Sequence, residues 1–190
     1  MQQTTYIKLY TREKGGVLAM NDKKEIQRWR NRNNNAWGNF FEKGIEAACR
    51  RYKDEGRAKI SKIPEPFRVL KKEKTGIFKG RFTAKADPDF QGTLAGGRSI
   101  AFEAKYTTTD TIRQSVLTEE QAAALEDHHN MGALAGVCVG IDDEFFFVPW
   151  DIWRDMKTHI GKKSAKAKDL QKYKVKFTGA VLFLDPLEVE

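Results

Sequence analysis

Two apolar stretches joined by a glycine turn, at residues 86–105, constrain the fold of this chain most strongly. The segment reads ADPDFQGTLAGGRSIAFEAK, with Ala95-Gly96-Gly97 near its centre. Short apolar runs on either side of a glycine-containing turn are typical of paired strands. We therefore predict strands at 86–94 and 98–105, joined by this turn.

Charged residues in these two strands can meet on one face. Side chains alternate along a strand, so Glu103 and Lys105 share a face. Antiparallel pairing would bring Asp89 near Glu103, with Asp87 as a competing acid. Carboxylate oxygens suit Mg²⁺, and a nearby lysine can orient or deprotonate a water, so the cluster is typical of metal-dependent phosphodiester hydrolysis. The alternative is an exposed strand face whose Glu–Lys pair contributes little.

Helical patterns occur before this segment. A short helix is predicted from Asp22 to about residue 32, within a polar and basic stretch at 1–34. A separate helix is predicted from an Asn35 N-cap to about residue 55, with Gly56 as its stop signal. Apolar residues at helical spacing predict its buried stripe: Trp37, Phe41, Ile45, Ala48 and Tyr52.

The second half of the chain alternates helix and strand patterns. Thr118 and Gln121 have the spacing of a capping box, and Gly132 is a stop signal. The later elements that we predict are buried strands at 133–141 and 144–148, a helix at 150–158 after Pro149, and an apolar segment at 180–184. The order indicates an α/β protein with a mixed sheet and helices packed on it.

A lysine-rich ribbon separates the first helix from the strand pair. Pro64 and Pro66 exclude a continuing helix. The ribbon, FRVLKKEKTGIFKGRF at 67–82, interrupts short apolar pairs with lysines around two glycines. This pattern predicts an exposed hairpin rather than a central strand.

Composition limits the remaining function classes. A length of 190 residues suits one domain with its own core, and a formal net charge of +8 favours a polyanionic partner. No apolar run approaches the roughly 18–20 residues of a membrane span, so we expect no membrane partner. Cys49 and Cys138 lack CxxC spacing, which predicts two core thiols in the cytoplasm rather than a disulfide framework or zinc site.

Several motifs in one order give the chain a family resemblance. Pro88-Asp89 followed by Glu103-Ala104-Lys105 is a PD…ExK pattern, as in restriction-endonuclease-like nucleases. The accompanying motifs are GNFFE at 38–42, the basic and proline-containing passage at 56–66, DFQG at 89–92 and Gln121. Together they resemble the RecU-type Holliday junction resolvases of the PD-(D/E)xK superfamily, over residues 35–150.

This resemblance implies a fold and a reaction. The fold is α/β, with a restriction-endonuclease-like mixed central β-sheet flanked by helices and a protruding β-hairpin stalk at about 67–85. The nuclease domain would span 35–190, after a loosely packed basic arm at 1–34. Enzymes of this family are homodimers that cut two strands of a four-way DNA junction, with Mg²⁺ or Mn²⁺ as cofactor.

The resemblance also implies roles for individual residues. Asp89 and Glu103 would bind the metal, with the Ala104 carbonyl as a further ligand. The expected catalytic residues are Asp89, Glu103, Lys105, Glu42 and Lys62. The expected DNA-contacting residues are Lys72, Lys79, Arg81 and Phe82 on the stalk, and Gln121 on the following helix.

Departures from the family pattern leave alternatives open. The ribbon is a few residues shorter than usual, and the hairpin before Glu103 is one residue longer, which keeps Asp87 as a competitor of Asp89. Gln121 can serve the capping box, the site, or both. The chain can also be a less selective phage or mobile-element nuclease, or a non-catalytic junction-binding protein.

Histidines and lysines also occur outside these motifs. The run Asp127-His128-His129-Asn130 resembles part of an HNH nuclease, but its position at a helix end favours imidazolium beside the helix dipole instead. Lysines at 157–176 can bind phosphates or form a solvated surface, and the sequence favours neither.

Overall fold

The computed structural model describes residues 23–64, 67–72, 77–82 and 87–188. In chain order its strands are β1 (Ala58–Lys62), β2 (Phe67–Lys72), β3 (Phe78–Phe82), β4 (Phe90–Leu94), β5 (Ser99–Thr107), β6 (Thr111–Arg113), β7 (Leu134–Ile141), β8 (Glu144–Pro149), β9 (Ser164–Lys166), β10 (Lys176–Phe177) and β11 (Val181–Leu182). Its α-helices are α1 (Lys23–Asp54), α2 (Glu119–Asn130), α3 (Trp150–Arg154) and α4 (Met156–Ile160). Its 3₁₀-helices are Gln114–Val116, Ala167–Tyr173 and Asp185–Glu188.

Five strands form a mixed central sheet in the order β1-β4-β5-β7-β8. The β5–β7 pair is parallel, and the other neighbouring pairs are antiparallel. The crossover from β5 to β7 contains α2, as a parallel pair requires. The predicted α/β architecture with a mixed central sheet is therefore confirmed.

Two apolar clusters cover the two faces of this sheet. On one face, α1 packs Phe41, Ile45 and Tyr52 against side chains that include Phe90 and Phe102. On the other face, α2 and α3 pack against alternate residues of β7 and β8, including Val137, Val139, Phe146 and Val148. Because side chains alternate, Glu103 and Lys105 of β5 lie on the opposite face from Phe102 and Ala104, the face that α2 covers.

The first helix is longer than the sequence predicted. A single helix spans Lys23–Asp54, so the prediction of an N-cap at Asn35 and of a separate short helix before it was wrong. No proline or glycine occurs between Lys23 and Trp37, so nothing in the chain breaks helix propagation there. Trp37 was also wrongly predicted to be buried: it is 49% exposed, whereas the other four residues of the stripe are buried.

The predicted strand pair around the glycine turn is confirmed, with shifted bounds. β4 begins at Phe90 rather than at 86, and β5 continues to Thr107. Gly96 and Gly97 have φ of 87° and 92°, a conformation that glycine adopts without strain. Gly92 in β4 is required for a different reason, because a Cβ there would overlap the Lys59 carbonyl oxygen of β1.

The lysine-rich ribbon forms the expected hairpin. β2 and β3 pair antiparallel as a two-stranded sheet of their own, with an irregularity between Val69 and Lys71. Val69, Leu70 and Ile77 are exposed. The hairpin is therefore a separate element and not part of the central sheet.

The remaining predictions are confirmed in part. The capping box of α2 and the left-handed Gly132 after it are present, and β7 and β8 are buried strands. The single helix predicted at 150–158 is two short helices, α3 and α4. Within 180–184, only β11 is a strand. Among the described residues, no helix is long and apolar enough to cross a bilayer.

Candidate active site

The pairing of β4 with β5 sets the position of the acidic residues. Phe90 lies opposite Phe102, so the same register carried one residue further places Asp89 opposite Glu103. The Asp89 Oδ2 accepts a hydrogen bond from the Ala104 N–H at 2.9 Å. Lys105 Nζ lies 3.9 Å from the same oxygen. Asp89 and the Glu103-Ala104-Lys105 motif are therefore brought together, as predicted.

The start of β4 at Phe90 explains why the side chain of Asp89 takes this hydrogen bond. Carried on by two residues, the β4–β5 register would place Pro88 opposite Ala104, but Pro88 lies outside β4, and the Asp89 carboxylate accepts from the Ala104 N–H. Proline has no N–H, so Pro88 cannot donate to the Ala104 carbonyl. The N–H and C=O of one strand residue point to the same side, so the Ala104 carbonyl also faces the side on which Asp89 lies.

Glu103 is the central side chain of the cluster. It is fully buried, and its Oε2 accepts hydrogen bonds from Lys105 Nζ at 2.8 Å and from Gln121 Nε2 at 2.6 Å. Its other carboxylate oxygen, Oε1, is buried and has no hydrogen-bond partner within the described part of the chain. A buried acceptor is normally satisfied, so this oxygen is an exception that a bound group would explain.

The surroundings of Glu103 change its acidity. Burial raises the pKa of Glu103 to about 7, against the opposing effect of Lys105, and the nearby charge of Asp89 adds to the rise. Removal from water disfavours the ionised carboxylate, and two neighbouring acids disfavour double ionisation. Near neutral pH, Glu103 is therefore poised between its two protonation states, as site carboxylates often are.

Gln121 combines two interactions through one side chain. Its Oε1 accepts from the Thr118 N–H at 3.2 Å, while its own N–H donates to Thr118 Oγ1 at 3.2 Å. Its Nε2 donates to Glu103. The capping box thus fixes the amide that holds Glu103. Gln121 therefore forms both the predicted capping box and a contact with Glu103, while its expected contact with DNA stays a prediction.

Glu42 and Lys62 form a second carboxylate–lysine pair. Lys62 Nζ donates to Glu42 Oε2 at 2.5 Å, and the side chains are 41% and 31% exposed. The hydrogen bond with Glu42 raises the pKa of Lys62, and the charge of Asp89 contributes to the same shift. At the end of β1, Ile63 N–H also donates to the Asp89 carbonyl at 2.8 Å. This pair therefore borders the cluster from the α1 side of the sheet.

The competing acid occupies a different environment. Asp87 is exposed, whereas Asp89 is half-buried and contacts the Ala104 N–H. One residue, Pro88, separates these acids, and only Asp89 directly precedes β4. The geometry favours Asp89 over Asp87 as the partner of Glu103.

The donor set fits a hard divalent cation. In the described ranges there is no group of three or more His, Cys, Asp or Glu residues that could hold a metal. Mg²⁺, however, commonly binds through one or two carboxylates and completes its shell with waters and substrate phosphate. Asp89 and the unpartnered Glu103 Oε1 supply such a pair. His128 and His129 lie in the last turn of α2, as expected for residues outside an HNH site.

The predicted DNA contacts of the stalk are four residues of the β2–β3 hairpin. Lys72, Lys79, Arg81 and Phe82 belong to β2 and β3, but their side chains lie outside the described residues. The residues that the site includes without having been assigned there are Thr118, through the capping box, and Pro88, through its missing N–H. The capping-box spacing and the proline beside Asp89 were the sequence signals that could have identified them.

Comparison with known proteins adds a family match. The family model described as RecU, Recombination protein U, matches residues 36–189, a range that contains every candidate site residue. No curated protein matches the chain. Among solved structures, the chain is similar to Hjc, a Holliday junction resolvase of the archaeal hyperthermophile Archaeoglobus fulgidus. That likeness has 11% sequence identity and a TM-score of 0.45, and it covers 77% of this chain and 97% of that one.

Proposed function

The chain belongs to the Recombination protein U (RecU) family, and we propose that it is an endonuclease that resolves four-way DNA junctions by metal-dependent phosphodiester hydrolysis. The observation that carries this proposal is the cluster of Asp89, Glu103 and Lys105, in which the buried Glu103 Oε1 has no partner among the described residues. We assign the reaction to this cluster.

The carboxylates are the proposed metal ligands. Asp89 and Glu103 would hold one divalent ion, Mg²⁺ or Mn²⁺, with the Ala104 carbonyl as a further oxygen donor. When bound, such an ion polarises a phosphoryl oxygen and lowers the pKa of a coordinated water. Lys105 and Gln121 both hold Glu103 through Oε2, which leaves Oε1 for this role.

Lys105 is the proposed electrostatic catalyst. Its ammonium lies between two carboxylates, at 2.8 Å from Glu103 and 3.9 Å from Asp89. An ammonium held in this way is suited to orienting the attacking water and stabilising negative charge on the phosphate. The water oxygen bonds to phosphorus in line as the bond from phosphorus to the leaving sugar oxygen breaks. Lys62, paired with Glu42, would contribute a second positive charge beside the scissile phosphate.

The same proposal includes partners, location and domain boundaries. Two symmetric incisions suit a homodimer with two equivalent sites. The β2–β3 hairpin, the stalk, would enter the branch point, with Lys72, Lys79, Arg81 and Phe82 toward DNA. Residues 35–190 would form the nuclease domain after an N-terminal arm. A cytoplasmic location is supported by two free, buried thiols, Cys49 and Cys138.

A cleavage assay on a four-way junction tests this proposal. With Mg²⁺, the protein should produce symmetric nicks that disappear in Asp89→Asn and in Glu103→Gln. Asp87→Asn is the matched control, because it removes an equally charged acid two positions away and should retain cleavage.

Three other outcomes would overturn the proposal or part of it. Equal cutting of linear duplex and junction would identify a less selective nuclease. Junction binding in EDTA without cutting in any divalent ion would identify a binding protein. Full loss of cleavage in Asp87→Asn with retention in Asp89→Asn would transfer the ligand role to Asp87.

A further inference from the structure

A lysine-rich surface segment lies outside the candidate active site. We propose that residues 157–176, the lysine segment, bind the phosphates of a duplex DNA arm next to the cleavage site. This inference rests on the proposed function, since it takes DNA as the substrate. The segment contains eight lysines and one acid, Asp169.

Ion pairs divide these lysines into two groups. Three are held by acids, in the pairs Lys162–Asp169 at 2.9 Å, Lys166–Asp110 at 2.8 Å and Lys174–Glu144 at 2.5 Å. The other five are exposed and form no ion pair with another described residue: Lys157, Lys163, Lys168, Lys172 and Lys176. Asp110, Glu144 and Asp169 are thus already paired, and these five lysines remain for an external anion.

The packing of the segment turns these lysines outward. Met156, Ala165 and Leu170 are fully buried, and Val175 is 4% exposed. Met156, Ala165 and Leu170 anchor the segment to the cluster around α3 on the α2 side of the core, whereas Val175 belongs to the cluster on the α1 side. The positively charged side chains therefore lie on the outer surface of a segment whose backbone is held in place.

The segment is joined directly to the strand that leads to Gln121. β9 pairs with β6, which places Ser164 opposite Arg113, an exposed cation. The Gln114 N–H donates to the Lys163 carbonyl at 3.1 Å. From Gln114 the chain reaches the Thr118 cap in four residues, which span roughly 14 Å at most.

This connection limits the distance to the proposed reacting phosphate. Adding the short contacts from Thr118 through Gln121 to Glu103 gives roughly 25 Å at most between the Lys163 backbone and the Glu103 carboxylate. At 3.4 Å per base pair, that distance corresponds to about seven base pairs of duplex. Because this distance is an upper limit, an arm of about seven base pairs or more is long enough to contact the active site and the lysine segment together.

Duplex phosphate is the anion that this surface fits best. Lysines act as separate point charges on flexible stems, which suits a regular row of phosphates without base recognition. The β9 backbone and the following 3₁₀-helix carry no exposed aromatic side chain for base stacking, and Tyr173 is half-buried. We therefore expect sequence-independent contacts whose strength depends on salt.

Two triple variants test the proposal. One is Lys163→Gln/Lys168→Gln/Lys172→Gln, which removes unpaired lysines. Its matched control is Lys162→Gln/Lys166→Gln/Lys174→Gln, which removes three paired lysines from the same segment and so changes the net charge equally. Binding to a junction with arms of about 20 base pairs, which exceed the limit of about seven, is measured in EDTA over a range of salt concentrations.

Binding through specific phosphate contacts and binding through net charge alone predict different salt dependence for the two triple variants. For long arms, the unpaired triple should lower the slope of log affinity against log salt by about 2.7, since each lost phosphate contact lowers it by about 0.9. The paired triple should keep the wild-type slope. Equal losses in both triples, or a wild-type slope in the unpaired triple, would overturn the proposal.

A second measurement uses the wild-type protein and does not depend on folding of a variant. Amine acetylation in the presence of the long-armed junction should spare Lys163, Lys168 and Lys172 relative to acetylation of the free protein. Absence of any protection would contradict the proposal. Failure of the proposed function would give a different result, a wild-type protein in which the junction protects these lysines but which cuts no junction with Mg²⁺ or Mn²⁺.

Discussion

Two carboxylate–lysine pairs border the candidate site, and they differ mainly in burial. In the inner pair, Glu103 is fully buried and the Lys105 side chain is 18% exposed. In the outer pair, Glu42 and Lys62 are 31% and 41% exposed. Burial raises the pKa of Glu103 to about 7. The same two residue types thus form a poised buried site in one place and an ordinary, largely solvated ion pair in the other, because removal from water magnifies every charge interaction.

The strongest test of this comparison replaces one acid in each pair. Glu103→Gln should lower junction cleavage by at least about 10³-fold, because a metal-held charge contributes several kcal/mol to the transition state. Glu42→Gln should lower it by about 10-fold or less, since the outer pair is screened by solvent. Single-turnover cleavage at saturating Mg²⁺ measures both, and equal losses would remove the distinction between the pairs.

The next test replaces one lysine in each pair. Lys105→Met should reduce cleavage by about 10²-fold or more, because it removes the ammonium that faces the reacting phosphate. It should also move the acidic midpoint of the pH–rate profile upward, since Lys105 opposes the rise in the pKa of Glu103. Lys62→Met should reduce the rate less and leave that midpoint in place. A Lys105→Met profile with an unchanged midpoint would contradict this coupling.

Burial of Glu103 also predicts how stability depends on pH without metal. Its pKa is raised from 4.5 to about 7, so the stabilisation from its neutral form is complete below about pH 4.5 and is lost as the pH rises to about 7. The difference amounts to roughly 3 kcal/mol in the free energy of unfolding.

Urea unfolding in EDTA measures the free energy of unfolding at each pH for the wild-type protein and for Glu103→Gln, whose side chain does not ionise. The wild-type protein should lose stability relative to the variant between pH 4.5 and 7, and Mg²⁺ should offset that loss because metal binding favours the carboxylate. Parallel curves for the two proteins would show that Glu103 titrates normally.

The smallest expected effect separates the two roles of Gln121. Gln121→Ala and Thr118→Ala both break the capping box, and each should cost about 1 kcal/mol of stability. Only Gln121→Ala also removes the 2.6 Å bond to Glu103. It should therefore slow cleavage by a further 10- to 100-fold, as misplaced groups do. Equal rates in the two variants would limit Gln121 to helix capping.

Local patterns predicted the elements that form the inner pair and its neighbours. The glycine turn predicted the β4–β5 pairing, alternation placed Glu103 and Lys105 on one face, and the capping-box spacing identified the start of α2. The split of α1 at Asn35 was wrong, because an asparagine can start a helix but does not stop one that continues through it. The burial of Trp37 was wrong because helical spacing shows which residues share a face, not how far the sheet extends beneath them.

The sequence by itself determined the α/β pattern, the strand pair around its turn, and the acids and lysine of the PD…ExK motif. These features depend on periodicity, turn chemistry and residue type, which are local. Only the tertiary structure decided that Glu103 is fully buried, that its Oε2 is shared by Lys105 and Gln121, and that Asp89 rather than Asp87 faces Ala104. Burial and long-range hydrogen bonds depend on how α2 packs on the sheet, and no short stretch of sequence contains that information.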